Sequence, residues 1–178
     1  PCPVCSAQKK DYPDGIPECG ADALRFGLLA YTLQGRDVNL DINRVVGWRQ
    51  FCNKLWNATK FALTHLAPEK YTATHHVNDI VTELTNATDL APRDQWILSR
   101  LAVAIKEANS CMLGYSFAGV CTALHHFWLH DLCDVYLELV KPVLYEDNYS
   151  ARQKHLARWV LYVCLEYGLR LLHPLMPF

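Results

Sequence analysis

The spacing of proline constrains this chain more than any other feature. Pro1, Pro3, Pro13 and Pro17 crowd with Gly15 into the first 19 residues, whereas the stretches ending at Pro68, Pro142 and Pro174 run for many residues beforehand without one. Proline removes an amide donor and blocks an interior helical turn, so the N-terminal segment is predicted to be irregular. The proline-poor remainder is free to be helical.

Within it, starts and stops can be named. Residues from Ala21 to Tyr31 have helical composition and precede the turn-forming Gln34-Gly35-Arg36-Asp37. Asp41 is a candidate N-cap for a helix from Ile42 to about Leu66, with Trp48, Phe51, Cys52, Leu55, Ala58 and Ala62 on one stripe and Arg49, Asn53, Asn57, Lys60 and Thr64 opposite. Residues 67–93 are rich in Thr, Asn, His and Asp with weak periodicity, and predict an irregular connection. Three helices are expected after it: Asp94 to about Met112, Phe117 to about Val140 after Ser116, and Ala151 to about Leu172 after Ser150, the last two closed by Pro142 and Pro174. Ile97, Leu101, Ala104, Ile105 and Ala108 give the first its core face; Val120, Leu124, Phe127, Cys133 and Tyr136 are core candidates of the second. No alternating β-branched run and no internal repeat is present, so the fold class is all-α, an antiparallel helix bundle.

Composition narrows what such a bundle does. A hydrophobic fraction of 51% with 20% charged residues excludes a disordered chain. Apolar runs are broken by charged residues or His before they reach the ~20 residues of a membrane span, and no basic-then-apolar leader opens the sequence, so neither membrane nor secretion is expected. Formal net charge is -1, so any nucleic-acid binding must rest on a local basic stripe. Of the eight Cys, five sit in apolar helical patterns, which predicts reduced thiols and a cytoplasmic setting.

Three segments resemble class I aminoacyl-tRNA synthetases, the valine–tRNA ligases most closely. They are Gly20-Ala-Asp-Ala-Leu-Arg-Phe-Gly27 followed by Gln34-Gly-Arg-Asp-Val-Asn-Leu-Asp41; Phe51-Cys-Asn-Lys-Leu-Trp-Asn-Ala-Thr-Lys-Phe61; and Phe127-Trp128, Leu132-Cys-Asp-Val-Tyr-Leu-Glu138 and His173-Pro-Leu-Met-Pro-Phe178. The family's ATP-binding signatures, His-Ile-Gly-His and Lys-Met-Ser-Lys-Ser, do not occur in the chain. The resemblance therefore implies residues 1–40 as the tail of a catalytic region with its connector, and residues 41–178 as the anticodon-binding bundle. A parent chain would supply the catalytic and editing domains and use ATP with Mg to attach valine to tRNA(Val). This segment alone is expected to be inactive, with no catalytic residue and no cofactor of its own.

The helix after Asp41 carries Arg44, Arg49, Lys54 and Lys60 with no acidic residue between Ile42 and Leu66, a local excess suited to phosphates. With Asn43, Asn53 and Asn57 as amides that read base edges, and Phe61 in one row with Gln50, Lys54 and Asn57, it is the candidate tRNA surface. Phe61 has two fates, stacking a base or turning into the core, and the row leaves both open. Arg36 and Asp37 are candidates for the inner side of the tRNA or for turn chemistry. Asp22 and Arg25 are either an orienting pair or an ordinary i,i+3 contact.

Two groups invite a metal, and none is expected in either. His126, His130, Asp134 and Glu138 fall four apart, but only adjacent members converge on one ion; Cys2-Pro-Val-Cys5 lacks a second close pair. The competing functional classes are a helical protein-interaction scaffold, suggested by abundant Trp and Tyr, and the equivalent region of an isoleucine or leucine relative.

Overall fold

A computed structural model describes residues 12–32, 40–66 and 77–178, and among these all regular structure is helical. In chain order the elements are α1 (Ala21–Ala30), α2 (Ile42–His65), α3 (Val77–Asn86), α4 (Pro92–Leu113), α5 (Phe117–His125), a π-wound stretch (His126–Tyr136), α6 (Leu137–Tyr145) and α7 (Ala151–Leu172). α5, the π stretch and α6 form one unbroken rod.

The expected caps form. The Asp41 carboxylate accepts the Asn43 amide at 2.9 Å, satisfying a donor that the first turn of α2 leaves orphaned. Ser150 and Gln153 build a reciprocal capping box at the start of α7, the Gln153 amide donating to Ser150 Oγ while its side chain accepts the Ser150 N–H.

Four expectations need correction. The connection 67–93 is not wholly irregular: α3 forms because Ile80 and Leu84, one turn apart, are buried in the common core, and tertiary packing overrides weak local propensity. α4 begins two residues early, with Pro92 in its first turn, which makes Asp94 its buried third residue and not its first. Pro142 lies inside α6 and does not end it; the carbonyl that loses its helical partner belongs to Glu138, an exposed residue. The rod between His126 and Tyr136 winds as π, which single-period reasoning does not anticipate.

The core gathers Trp128, Tyr136, Phe26, Phe127 and Ile97, all sealed from solvent. Each such side chain stabilises the fold by roughly 1.5–3 kcal/mol. Trp128 packs against Gly168 of α7, donating to its carbonyl at 3.4 Å; a Cβ there would stand 2.9 Å from the indole, so only glycine admits this approach. Phe26 of α1 meets Trp48 and Phe51 of α2 with ring centroids 4.8 and 5.6 Å apart, which fastens α1 to the bundle. The Tyr136 hydroxyl donates to buried Asp94 at 2.8 Å, tying the π stretch to α4.

Ile105 and Cys133, both expected in the core, are only partly buried at its edge. The six described cysteines are free thiols; burial pushes Cys121 up to about 12 and Cys133 up to about 11, so neither is a reactive thiolate. No helix among the described residues is long and apolar enough to cross a membrane.

Candidate nucleic-acid interface

α2 offers the surface. Its inner face carries Phe51, Ala58, Ala62 and His65 into the core, while Val45 is buried near Gly27 of α1, and at ~100° per residue the face opposite the core brings Arg49, Asn53, Trp56 and Lys60 within about 60° of one another. All four are exposed. Arg49, Asn53 and Trp56 also line a depression of about 590 Å³ floored by the start of α1, and Trp56 and Lys60 line a second beyond it. Two cations, an amide and an indole thus share one accessible row, the side-chain types that meet phosphates, base edges and base faces.

The basic stripe is narrower than the run of sequence implies. Arg44 lies about 160° around the helix from Lys60 and stacks its guanidinium over Tyr31 at 5.4 Å. Lys54 is exposed but bound to Asp134 of the π stretch at 2.8 Å, and this hydrogen bond raises its pKa. The absence of acids within α2 is therefore partly compensated across the seam. Asn43 is exposed in the first turn, and Asn57 is exposed beside Asn53. Arg36, Asp37, Cys2 and Cys5 lie outside the described residues.

Phe61 takes a middle course between its two fates. Half-buried and packed on the core edge, its ring stands 4.8 Å from that of His65 and 6.5 Å from that of Tyr145, with 63% of Tyr145 exposed. The residue that sequence reasoning overlooked is Trp56, 73% exposed. Its signal was its position three residues after Asn53 and four before Lys60, off the apolar stripe.

The four-apart row of the rod is divided. His126 Nδ1 faces Asp131 at 3.3 Å, His130 faces Asp134 at 3.7 Å, and Glu138 holds Lys141. No group of three metal-ligating side chains comes together among the described residues. His125 is turned inward against Trp48 and Phe51, and burial, then its neighbours His130 and His126, lower its pKa. Asp22 and Arg25 do pair, at 2.9 Å, and the Asp22 carboxylate also accepts the Phe178 amide at 2.8 Å.

Comparison with known proteins adds an independent line. Residues 94–178 match the family described as anticodon-binding domain of tRNA ligase. The chain is 54% identical over 173 residues to the valine–tRNA ligase of Caenorhabditis elegans and 52% identical over 171 residues to that of Homo sapiens, each alignment covering 96% of this chain. The human mitochondrial valine–tRNA ligase is 50% identical over 175 residues, or 98% of the chain. The chain spans 13–15% of the length of these relatives.

Proposed function

The chain belongs to the valine–tRNA ligase family, as a segment that includes its anticodon-binding domain, and we propose that this segment grips the anticodon stem-loop of tRNA(Val). Residues 1–40 serve as the tail of a catalytic region with its connector, and residues 41–178 as the bundle that holds RNA. The parent would attach valine using ATP with Mg, through residues that this segment does not contain. Free thiols throughout the described residues suit a reducing compartment such as the cytoplasm.

The observation that carries the reading is the exposed row of Arg49, Asn53, Trp56 and Lys60 on α2. Arg49 and Lys60 neutralise phosphates, Asn53 with Asn57 supplies amide donors and acceptors, and Asn43 and Lys54 stand to one side of the row, toward the rod. Arg44, on another side of α2 against Tyr31, contributes only to the general positive charge of the helix, and Phe61 with its aromatic neighbours offers a ring edge at the far end. Arg36 reaches the inner side of the tRNA in this scheme.

Binding of the 178-residue chain to a tRNA(Val) anticodon stem-loop, followed by fluorescence anisotropy across a salt series, tests the proposal. Affinity should fall steeply with salt, and replacing Arg49 and Lys60 by Ala should lower both affinity and the slope, by about one unit per lost phosphate contact. Binding that ignores salt and both substitutions would instead favour the protein-scaffold reading, for which exposed Trp56 and Leu63 are the relevant patch. Equal affinity for an isoleucine tRNA stem-loop would remove the valine assignment.

A further inference from the structure

We propose that the groove between α4 and the rod is a pocket for one unpaired nucleobase of the RNA seated on α2, with His126 at its mouth and a preference for bases that carry an exocyclic amine. The inference rests on the RNA-binding reading above and adds a second site to it.

The groove encloses about 420 Å³ and is lined by Arg100, Glu107, Thr122, His126, Phe127 and Asp131, with small side chains between them. That volume falls in the range of small-ligand pockets. Phe127 is buried and apolar, whereas His126 and Thr122 are exposed. An apolar lining with a polar rim suits a flat heteroaromatic ring, whose faces are apolar and whose edge is not.

The rim is held in place by the winding of the rod. A π turn brings residues five apart together where an α turn would splay them, and His126 therefore meets Asp131 across five residues. Asp131, only 6% exposed, also accepts from Arg100 Nε at 3.0 Å. The imidazole is thus fixed on one side while its side chain stays 53% exposed.

A chain of side chains links the groove to the α2 surface. The His126 and His130 rings stand 5.2 Å apart, His130 Nδ1 lies 3.7 Å from Asp134, and Asp134 holds Lys54 of α2. An RNA strand on α2 meets this chain of side chains as it crosses the seam.

Charge selects the part of the nucleotide that enters. Arg100 compensates Asp131, and Glu107 is left as the carboxylate of the lining that repels a phosphate, so the sugar-phosphate backbone stays outside, near Lys54. Glu107 is also an acceptor, and an exocyclic amine, with two N–H donors, serves a carboxylate better than the single ring N–H of uracil. Adenine, cytosine and guanine carry one; uracil does not.

The test uses the 178-residue chain and anticodon stem-loops in which each loop nucleotide in turn is made abasic. One position should cost the unmodified chain about tenfold in affinity, the size of a lost base stack. His126→Ala removes the ring and Thr122→Trp fills the groove while leaving the Arg100–Asp131–His126 contacts in place. Each should weaken intact RNA about tenfold and cost nothing further on that abasic RNA, the signature of a shared contact. Uracil at that position, which keeps the ring but lacks the amine, should bind more weakly than adenine, cytosine or guanine and more tightly than the abasic loop. Normal binding of intact RNA by both variants, together with weakening by Arg49→Ala, overturns the pocket and leaves the α2 surface standing. Losses of equal size on every RNA, abasic ones included, also overturn the pocket. No RNA binding by the unmodified chain removes both.

Discussion

Helices α2 and α7 are close in length, 24 and 22 residues, but α7 buries ten residues and α2 buries five. α7 is packed by α3, α4 and the rod, so apolar residues occupy most of its circumference, with Trp159, Val160, Leu161, Val163, Cys164 and Leu165 almost consecutive. α2 is covered along one side and shows a polar row on the other. The difference assigns stability and recognition to separate elements. Substitutions on the outer face of α2 can change what the surface binds without reaching the core.

The most severe test of that separation is Trp128→Ala, which leaves a cavity against Gly168 of α7 and should cost about 3–5 kcal/mol in chemical denaturation. Arg49→Ala with Lys60→Ala, by contrast, should change stability by no more than about 0.5 kcal/mol while weakening RNA binding. A large loss of stability from the α2 pair would break the comparison.

A smaller effect concerns Asp94, the buried carboxylate on α4. Burial raises its pKa above the ordinary carboxylate value, and the hydrogen bond from Tyr136 and the charge of Arg93 offset this only in part. The folded chain therefore holds that proton more tightly than the unfolded chain does. The associated stability is fully present below the unfolded carboxylate pKa and is lost as pH rises through the folded value. Thermal melts should show the parent chain gaining stability relative to Asp94→Asn as pH is lowered from about 7 to about 4. A difference that stays flat with pH would contradict this placement of Asp94.

The smallest effect is expected at the seam between the two halves of the site. Lys54 and Asp134 are about half exposed, so Lys54→Ala should cost less than about 1 kcal/mol in a denaturant melt. A larger loss would mean that α2 depends on the rod for more than its apolar face.

The features legible in the sequence were those decided locally. Asp41 and Ser150 announce their helices because a cap is a contact over two or three residues. The apolar stripe of α2 was readable for the same reason, one helix having one period. α3 was not readable, because the burial of Ile80 and Leu84 is supplied by helices distant in sequence. At the site, the exposed amides and cations of α2 followed from the stripe, but the diversion of Lys54 to Asp134 joins residues 80 apart. The pairing of His126 with Asp131 was hidden differently, since it appears only once the rod abandons the spacing that sequence patterns assume.

That change of winding bears on how long the rod needs to be. Continued as α-helix from Phe127 and Trp128, the rod would return Asp134, Val135, Glu138 and Leu139 to the core; instead these are exposed, and Tyr136, Leu137 and Val140 are buried. The chain is thus about one residue longer here than its interior requires, as after a single-residue insertion. A homologue lacking that residue could bury the same aromatic and aliphatic set in plain α winding. The length difference would be felt only on the outer surface, around His126, His130 and Asp131. Variation in length within this rod is therefore a means of altering what the groove accepts while the interior stays as it is.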